Sequence, residues 1–112
     1  MKTQEIKNII QRNVGQNRGK ARIWIEGPVL LQHGWNKGDL FYPRYGKGVI
    51  VFVKSPASNT TAELEKQRKV AGTDARPILD TNTDRISVAL NGATKVNVKF
   101  EGEAFIVITP AY

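Results

Sequence analysis

The chain has 112 residues, which suits one small domain, and its apolar and charged fractions of 40% and 24% are those of a globular protein. It contains no cysteine, which excludes a disulfide framework, a thiolate metal site and a cysteine nucleophile. Seventeen lysines and arginines against ten acidic residues give a formal net charge of +7, which favours polyanionic partners. No apolar run approaches the length of a membrane span and the first residues lack a secretory pattern, so we expect a cytoplasmic protein.

Residues 1–20 are predicted to form a basic N-terminal arm, part of which is helical. Ile6, Ile9 and Ile10 follow helical spacing within residues 2–13. Glycine-rich polar sequence follows them, which is typical of a segment that becomes ordered only when it docks.

The remainder, residues 21–112, is predicted to form a single β domain, and its first unit covers residues 21–54. Alternating apolar residues predict a strand around Ile23, and the continuous apolar run Val49–Val53 predicts a buried strand. Gly46-Lys47-Gly48 predicts a tight hairpin turn before that strand. Between the strands, the pattern predicts one helical turn over residues 29–33 and a further strand that begins at Leu40.

A linker over residues 55–75 separates this unit from a second one over residues 76–109. In the linker, Thr60 or Thr61 is suited to cap a short helix that ends at Lys66, Arg68 and Lys69. The second unit is predicted as strands throughout: one over residues 77–80, one over residues 86–90, and a hairpin whose strands cover residues 95–100 and 104–108. Glu101-Gly102 is predicted as the two-residue turn of this hairpin.

The two units follow the same plan. A shift of 56 places Ile23 on Leu79, Leu30 on Ile86 and Ile50 on Ile106, although the two units share little sequence identity. Either unit alone leaves an apolar face open, so the simplest solution is a small barrel in which the two units pair about an approximate two-fold axis.

Several residues of the first unit resemble a known family. They are Lys20–Gly27, Leu30, Gly34–Asp39 and Gly48–Val51. This run resembles the swapped-hairpin repeat of the SpoVT/AbrB type, and within it the SymE-like branch. The resemblance implies a mainly β, swapped-hairpin or double-psi-like barrel that binds DNA, in transcription regulators and antitoxins of bacteria; the SymE-like branch is associated with toxins and RNA. Relatives dimerise, whereas this chain carries two tandem units, so we expect a monomeric pseudo-dimer or a homodimer.

The resemblance also indicates which residues contact nucleic acid. Arg22 matches the family's DNA-contacting arginine, and Arg18, Lys20 and Lys37 fit the neighbouring basic positions. The second unit has Thr94-Lys95 where the first has Gly38-Asp39, which leaves binding by the second unit open. The full set of predicted nucleic-acid-binding residues is Arg18, Lys20, Arg22, Lys37, Arg44, Lys47, Arg68 and Lys69.

The two tryptophans are interpreted differently. Trp24 either stacks on unpaired bases or fills the barrel, because it lies opposite Ile23 and Ile25 in the strand alternation. Trp35 is predicted to belong to the core. Arg68 and Lys69 either contact phosphates or form a solvated helix end.

No catalytic, metal or cofactor site is predicted. His33 is the only histidine and has neither a carboxylate pair nor a marked nucleophile in the local sequence. Asp39 is expected to stabilise its turn, and Asp80 and Asp84 are also expected to serve turns, since the glycine and distal glutamate of a calcium loop are missing.

The sequence therefore predicts a non-enzymatic regulatory protein that binds nucleic acid, most simply double-stranded DNA. One alternative is a toxin-like protein that binds RNA or single strands. Another is a protein of a phage or mobile element that binds another protein through residues 2–14.

Overall fold

A computed structural model describes residues 8–55 and 67–111, and these residues are mainly β, as predicted. The strands are β1 (Ile9–Asn13), β2 (Gly15–Asn17), β3 (Lys20–Glu26), β4 (Leu40–Gly46), β5 (Val49–Lys54), β6 (Arg68–Lys69), β7 (Ala71–Gly72), β8 (Pro77–Asn82), β9 (Lys95–Glu101) and β10 (Phe105–Pro110). The helices are α1 (Pro28–Gln32) and α2 (Asp84–Ala89).

The strands form two antiparallel sheets. Sheet one has the order β1-β9-β10-β5-β4-β6, and sheet two has the order β2-β3-β8-β7. The expected barrel is therefore corrected, because the described strands do not close into one ladder. The chain bends from one sheet into the other at Val14 and Val70, and the strand ladder is interrupted at both bends.

One core lies between the inner faces of the two sheets. Strand β3 contributes Ile23 and Ile25, which are almost fully buried, while the residues between them point outward. Trp35 is fully buried, as predicted, and packs edge-on against Phe41. Leu79 of β8, Leu30 of α1 and Ile86 of α2 are also fully buried in this core. Sheet one contributes from alternate positions, which are Phe41, Ile50, Phe52, Val96, Val98, Phe100, Ile106 and Ile108.

The two units pair with each other about an approximate two-fold axis. Trp24 of β3 lies opposite Asp80 of β8, and Val51 of β5 lies opposite Val107 of β10. In both pairs the second residue follows the first by 56 positions, so each strand pairs with its own counterpart. The edge strands obey the same relation: β2 pairs with β3 as β7 pairs with β8, and β1 pairs with β9 as β6 pairs with β4.

The repeat is longer than the sequence indicates, because it includes β1 and β2 in one copy and β6 and β7 in the other. The predicted helix over residues 2–13 is wrong for residues 9–13, which form β1, and residues 2–7 lie outside the described residues. Ile10 of β1 packs against the core, an attachment that local spacing does not show. The predicted linker helix lies mostly outside the described residues, but Arg68 and Lys69 form strand β6 instead of a helix end.

Residues 86–90 were expected as a strand and form helix α2 instead. The Thr83 side chain accepts a hydrogen bond from the Arg85 backbone N–H over 3.4 Å, and Asp84 occupies the first turn, so the helix has a cap that the apolar alternation conceals. Ile86 is fully buried, whereas Val88 is 81% exposed. Helix α2 packs against β3, β4 and β5 of the first unit, and α1 packs against β3 and β8.

The hairpins of the two units differ by one residue. Gly46 pairs with Val49 across a two-residue turn, as predicted, whereas Glu101 pairs with Phe105 across three residues. As a result Phe41, not Leu40, is the counterpart of Val96, and both are fully buried. The predicted two-residue turn at Glu101-Gly102 is therefore corrected.

The turn between α1 and β4 is held by Lys54. Its Nζ donates to the Gly34 carbonyl over 2.6 Å and lies 3.6 Å from an Asp39 carboxylate oxygen. Asp39 also accepts a hydrogen bond from the backbone N–H of Asn36 over 2.8 Å, which confirms its predicted role in the turn. The ammonium lies 4.9 Å from the ring centroid of Trp35 and so ties the turn to the core.

Alanine substitutions distinguish helix α2 from the strand that the sequence predicts. Leu30→Ala and Ile86→Ala should each lower the free energy of unfolding by about 2–5 kcal/mol, because both remove buried methyl groups at equivalent positions. Val88→Ala should change it by less than about 0.5 kcal/mol, because the side chain faces solvent in the helix. Urea unfolding followed by circular dichroism measures all three; a large loss in Val88→Ala would contradict the helix.

The contribution of Lys54 is tested with a second lysine as control. Lys54→Met should lower the free energy of unfolding by about 1.5–3 kcal/mol, because it removes a charge-assisted hydrogen bond from a partly buried carbonyl. Lys99→Met should cost less than about 1 kcal/mol, since the ion pair of Lys99 with Glu101 is about half exposed. Equal losses in thermal melts would show that the turn does not depend on Lys54.

Candidate nucleic-acid interface

The outer face of sheet two brings together four of the predicted site residues. Because side chains alternate along a strand, Lys20, Arg22 and Trp24 point away from the core on the same side of β3. Arg18 lies at the tip of the two-residue turn between β2 and β3, with a positive φ of 55°. Arg18 and Gly19 both occupy the left-handed region, as a tight hairpin turn of this length requires. We call these four residues the β3 basic face.

Arg22 is held in place by Asp80 of the neighbouring strand. Its Nε and Nη2 donate to the two carboxylate oxygens of Asp80 over 2.8 and 2.9 Å. The guanidinium carbon lies 4.2 Å from the ring centroid of Trp24. Hydrogen bonding to Asp80 raises the pKa of Arg22 above its ordinary value, so the group stays charged. Two of the five guanidinium N–H groups of Arg22, which matches the family's DNA-contacting arginine, are therefore engaged by Asp80.

The sequence places Asp80 at the end of the predicted strand over residues 77–80 and gives it only a turn role, so it is not among the predicted site residues. It lies in strand β8, directly opposite Trp24, and its side chain is about one-third exposed. Arg22 and Asp80 are 58 positions apart. Only the pairing register of β3 with β8 brings them together, and no local motif signals that register. The other aspartate of the predicted turn, Asp84, begins helix α2.

The two-fold relation of the backbone does not extend to the charges of this face. The counterparts of Arg18, Lys20, Arg22 and Trp24 are Asp74, Arg76, Ile78 and Asp80. One half of the face thus carries three cations and an aromatic ring, whereas the other carries one cation and two carboxylates. A polyanion approaching sheet two meets its attractive field on the side of the first unit.

The other predicted cations lie elsewhere. Arg44 points outward from β4 and donates to the Tyr42 hydroxyl over 3.2 Å. Lys69 lies opposite Leu40 at the β6 edge of sheet one, and Lys37 is exposed in the turn before β4. These residues belong to sheet one and its connections, so the structure does not place them on the β3 basic face.

Lys47 borders a separate depression of about 560 Å³ between the β4–β5 turn and helix α2. Its floor includes Tyr45, whose ring centroid lies 5.8 Å from the guanidinium carbon of Arg85. Burial raises the pKa of Tyr45, and the opposing effects of Arg68, Arg85 and the Thr81 hydroxyl do not offset it, so the phenol stays neutral. Arg85 lies in helix α2, and the sequence, which predicts only strands in the second unit, gives no local signal for its place beside Tyr45.

His33 has a packing role. Its ring lies parallel to that of Phe100, with 4.2 Å between the centroids. Within residues 8–55 and 67–111, no three His, Asp or Glu side chains come together as a metal site requires. In the same part of the chain, no helix is long and apolar enough to cross a membrane.

Comparison with known proteins leaves the family open. No family model, no curated protein and no solved structure matches the chain. The resemblance to the SpoVT/AbrB type therefore stays a prediction that depends on the quoted residues, and the geometry of the β3 basic face has to be interpreted by its chemistry alone.

Proposed function

We propose that the protein binds nucleic acid without catalysing a reaction, and that the β3 basic face is its binding surface. The observation that carries the proposal is the placement of Lys20, Arg22 and Trp24 in one row on the outer side of sheet two, with Arg18 at the adjacent turn. Cations that alternate with an exposed aromatic ring suit a ligand that has both phosphates and bases.

Two features of the whole chain support this proposal. The net charge of +7 attracts polyanions over a range set by salt. The pairing of strands with their own counterparts, and the packing of α2 on strands of the first unit, are what a swapped-hairpin protein with two tandem units requires. A regulatory role of the SpoVT/AbrB type is the biological form of the proposal.

The alternative in which residues 2–14 bind another protein is less well supported by the structure. It requires the isoleucines of residues 2–14 to form an exposed adhesive helix. Ile9 is half exposed, but it lies in strand β1, and Ile10 packs against the core. Ile6 lies outside the described residues.

A pair of charge neutralisations at equivalent positions tests the proposal. Lys20→Gln and Arg76→Gln each remove one positive charge, and the two sites lie about 26 Å apart, at opposite ends of the paired strands β3 and β8. Binding of a labelled oligonucleotide is followed by fluorescence anisotropy between about 50 and about 200 mM salt. We expect Lys20→Gln to weaken binding and to lower the log–log salt slope by about 0.7–0.9, the loss of one phosphate contact, while Arg76→Gln leaves the slope unchanged.

Two outcomes contradict the proposal. If both variants weaken binding equally, affinity depends on total charge and the β3 basic face is not the site. If the unmodified protein binds neither DNA nor RNA at the lower salt concentration, the function itself is wrong.

A further inference from the structure

We infer that the β3 basic face takes an unpaired nucleotide strand, one base of which stacks on a platform formed by Trp24 and Arg22 and positioned by Asp80. This inference rests on the proposed function and specifies its ligand class. The source of the strand, single-stranded DNA or RNA, is distinguished in the experiment.

The first argument is the state of Arg22. Asp80 holds the guanidinium through Nε and one N–H of Nη2, which leaves three of its five N–H groups, on Nη1 and Nη2, for other partners. The guanidinium carbon also lies over the indole ring of Trp24, 4.2 Å from the ring centroid, so the charged group and the ring form one stack. Aromatic rings and arginine planes of this kind are the surfaces on which unpaired bases stack.

The second argument is shape. Trp24 is 37% exposed and lies on one of the two inner strands of a four-stranded sheet. A major groove admits a helix or a two-stranded ribbon, so a face of four strands is too wide to enter the major groove of a duplex. An unpaired base is not held in a double helix. It can therefore lie flat on such a face without the free-energy cost of unpairing and unstacking a duplex.

The third argument is the position of the cations. Lys20 points outward from the same strand, and Arg18 follows at the turn tip, so both lie on one side of the platform. A strand whose base covers Trp24 thus runs its phosphates toward Lys20 and Arg18. In the other direction the next outward residue of β3 is Glu26, whose carboxylate repels phosphates.

The first experiment compares ligands. Labelled strands of about 16 nucleotides of oligo-dT and oligo-rU and a duplex of equal length are titrated by anisotropy at fixed salt. We expect Trp24→Leu to weaken binding of the single strands by roughly 5- to 150-fold and to leave the duplex unchanged, while Trp24→Phe retains most of the affinity because it keeps a ring. A larger affinity for oligo-rU than for oligo-dT identifies RNA as the source of the strand, and the reverse identifies DNA.

A spectroscopic signal reports stacking directly. The protein has two tryptophans, and Trp35 is fully buried. A base stacked on Trp24 should therefore quench only the exposed fluorophore, and the quenching should disappear in Trp24→Phe while the emission of Trp35 remains. Single-strand binding without quenching would overturn the inference.

The second experiment tests the positioning role of Asp80 by the sign of its effect. Asp80→Asn raises the net charge by one, so simple electrostatics expects tighter binding of every nucleic acid. If Asp80 positions Arg22, the same substitution should instead weaken single-strand binding several-fold, because Arg22 loses the carboxylate that fixes its plane. Asp74→Asn adds the same charge at an exposed loop position and serves as the control.

Arg22→Lys completes the test, because it keeps the charge and removes the planar group. We expect it to weaken single-strand binding several-fold with little effect on the duplex, and thermal melts verify that each variant is folded. If Arg22→Lys and Asp80→Asn leave single-strand affinity unchanged or raise it like Asp74→Asn, the platform is wrong. If single strands and duplex bind equally and Trp24→Leu alters neither, the inference fails while the proposed function stands; absence of all binding removes both.

Discussion

The structure depends on two places where a strand pairs with its own counterpart. Strands β3 and β8 meet at Trp24 and Asp80, and strands β5 and β10 meet at Val51 and Val107. These pairings join the units in both sheets at once, so the apolar faces of the two units enclose one core. Neither unit closes a core by itself, and helix α2 covers strands of the other unit. Any site built on sheet two therefore requires the whole interlocked chain.

The backbone is nearly two-fold, but the side chains on its surface are not. The β3 basic face carries Arg18, Lys20 and Arg22, whose counterparts are Asp74, Arg76 and Ile78. The core shows the same divergence on a smaller scale: Thr81, a buried polar residue, occupies the counterpart position of Ile25. The symmetric backbone pairing preserves the fold. The asymmetric side chains make only the first unit's half of sheet two attractive to a polyanion. A ligand bound there meets different chemistry in its two directions.

Much of the fold follows from the sequence because strand alternation and glycine turns are local signals. The strands around Ile23 and over Val49–Val53, the Lys47-Gly48 turn and the buried Trp35 are all visible in it. Helix α2 was missed because five residues of alternating polarity fit a strand as well as a short helix, and the Thr83 cap is one weak signal. The site was only partly predictable: alternation places Lys20, Arg22 and Trp24 on one face, but the partner of Arg22 depends on a register between distant strands.

The Arg22–Asp80 pair lies at the surface, where water and salt weaken ion pairs, because both side chains are about one-third exposed. It also removes a free cation from a face whose proposed ligand is an anion. Both observations make sense when the pair is treated as a positioning device. The carboxylate fixes the guanidinium beside Trp24, so the order that a stacked base needs exists before the ligand arrives, and less conformational entropy is lost on binding. Lys20, at the start of β3, and Arg18, at the adjacent turn, supply the attraction that Arg22 gives up.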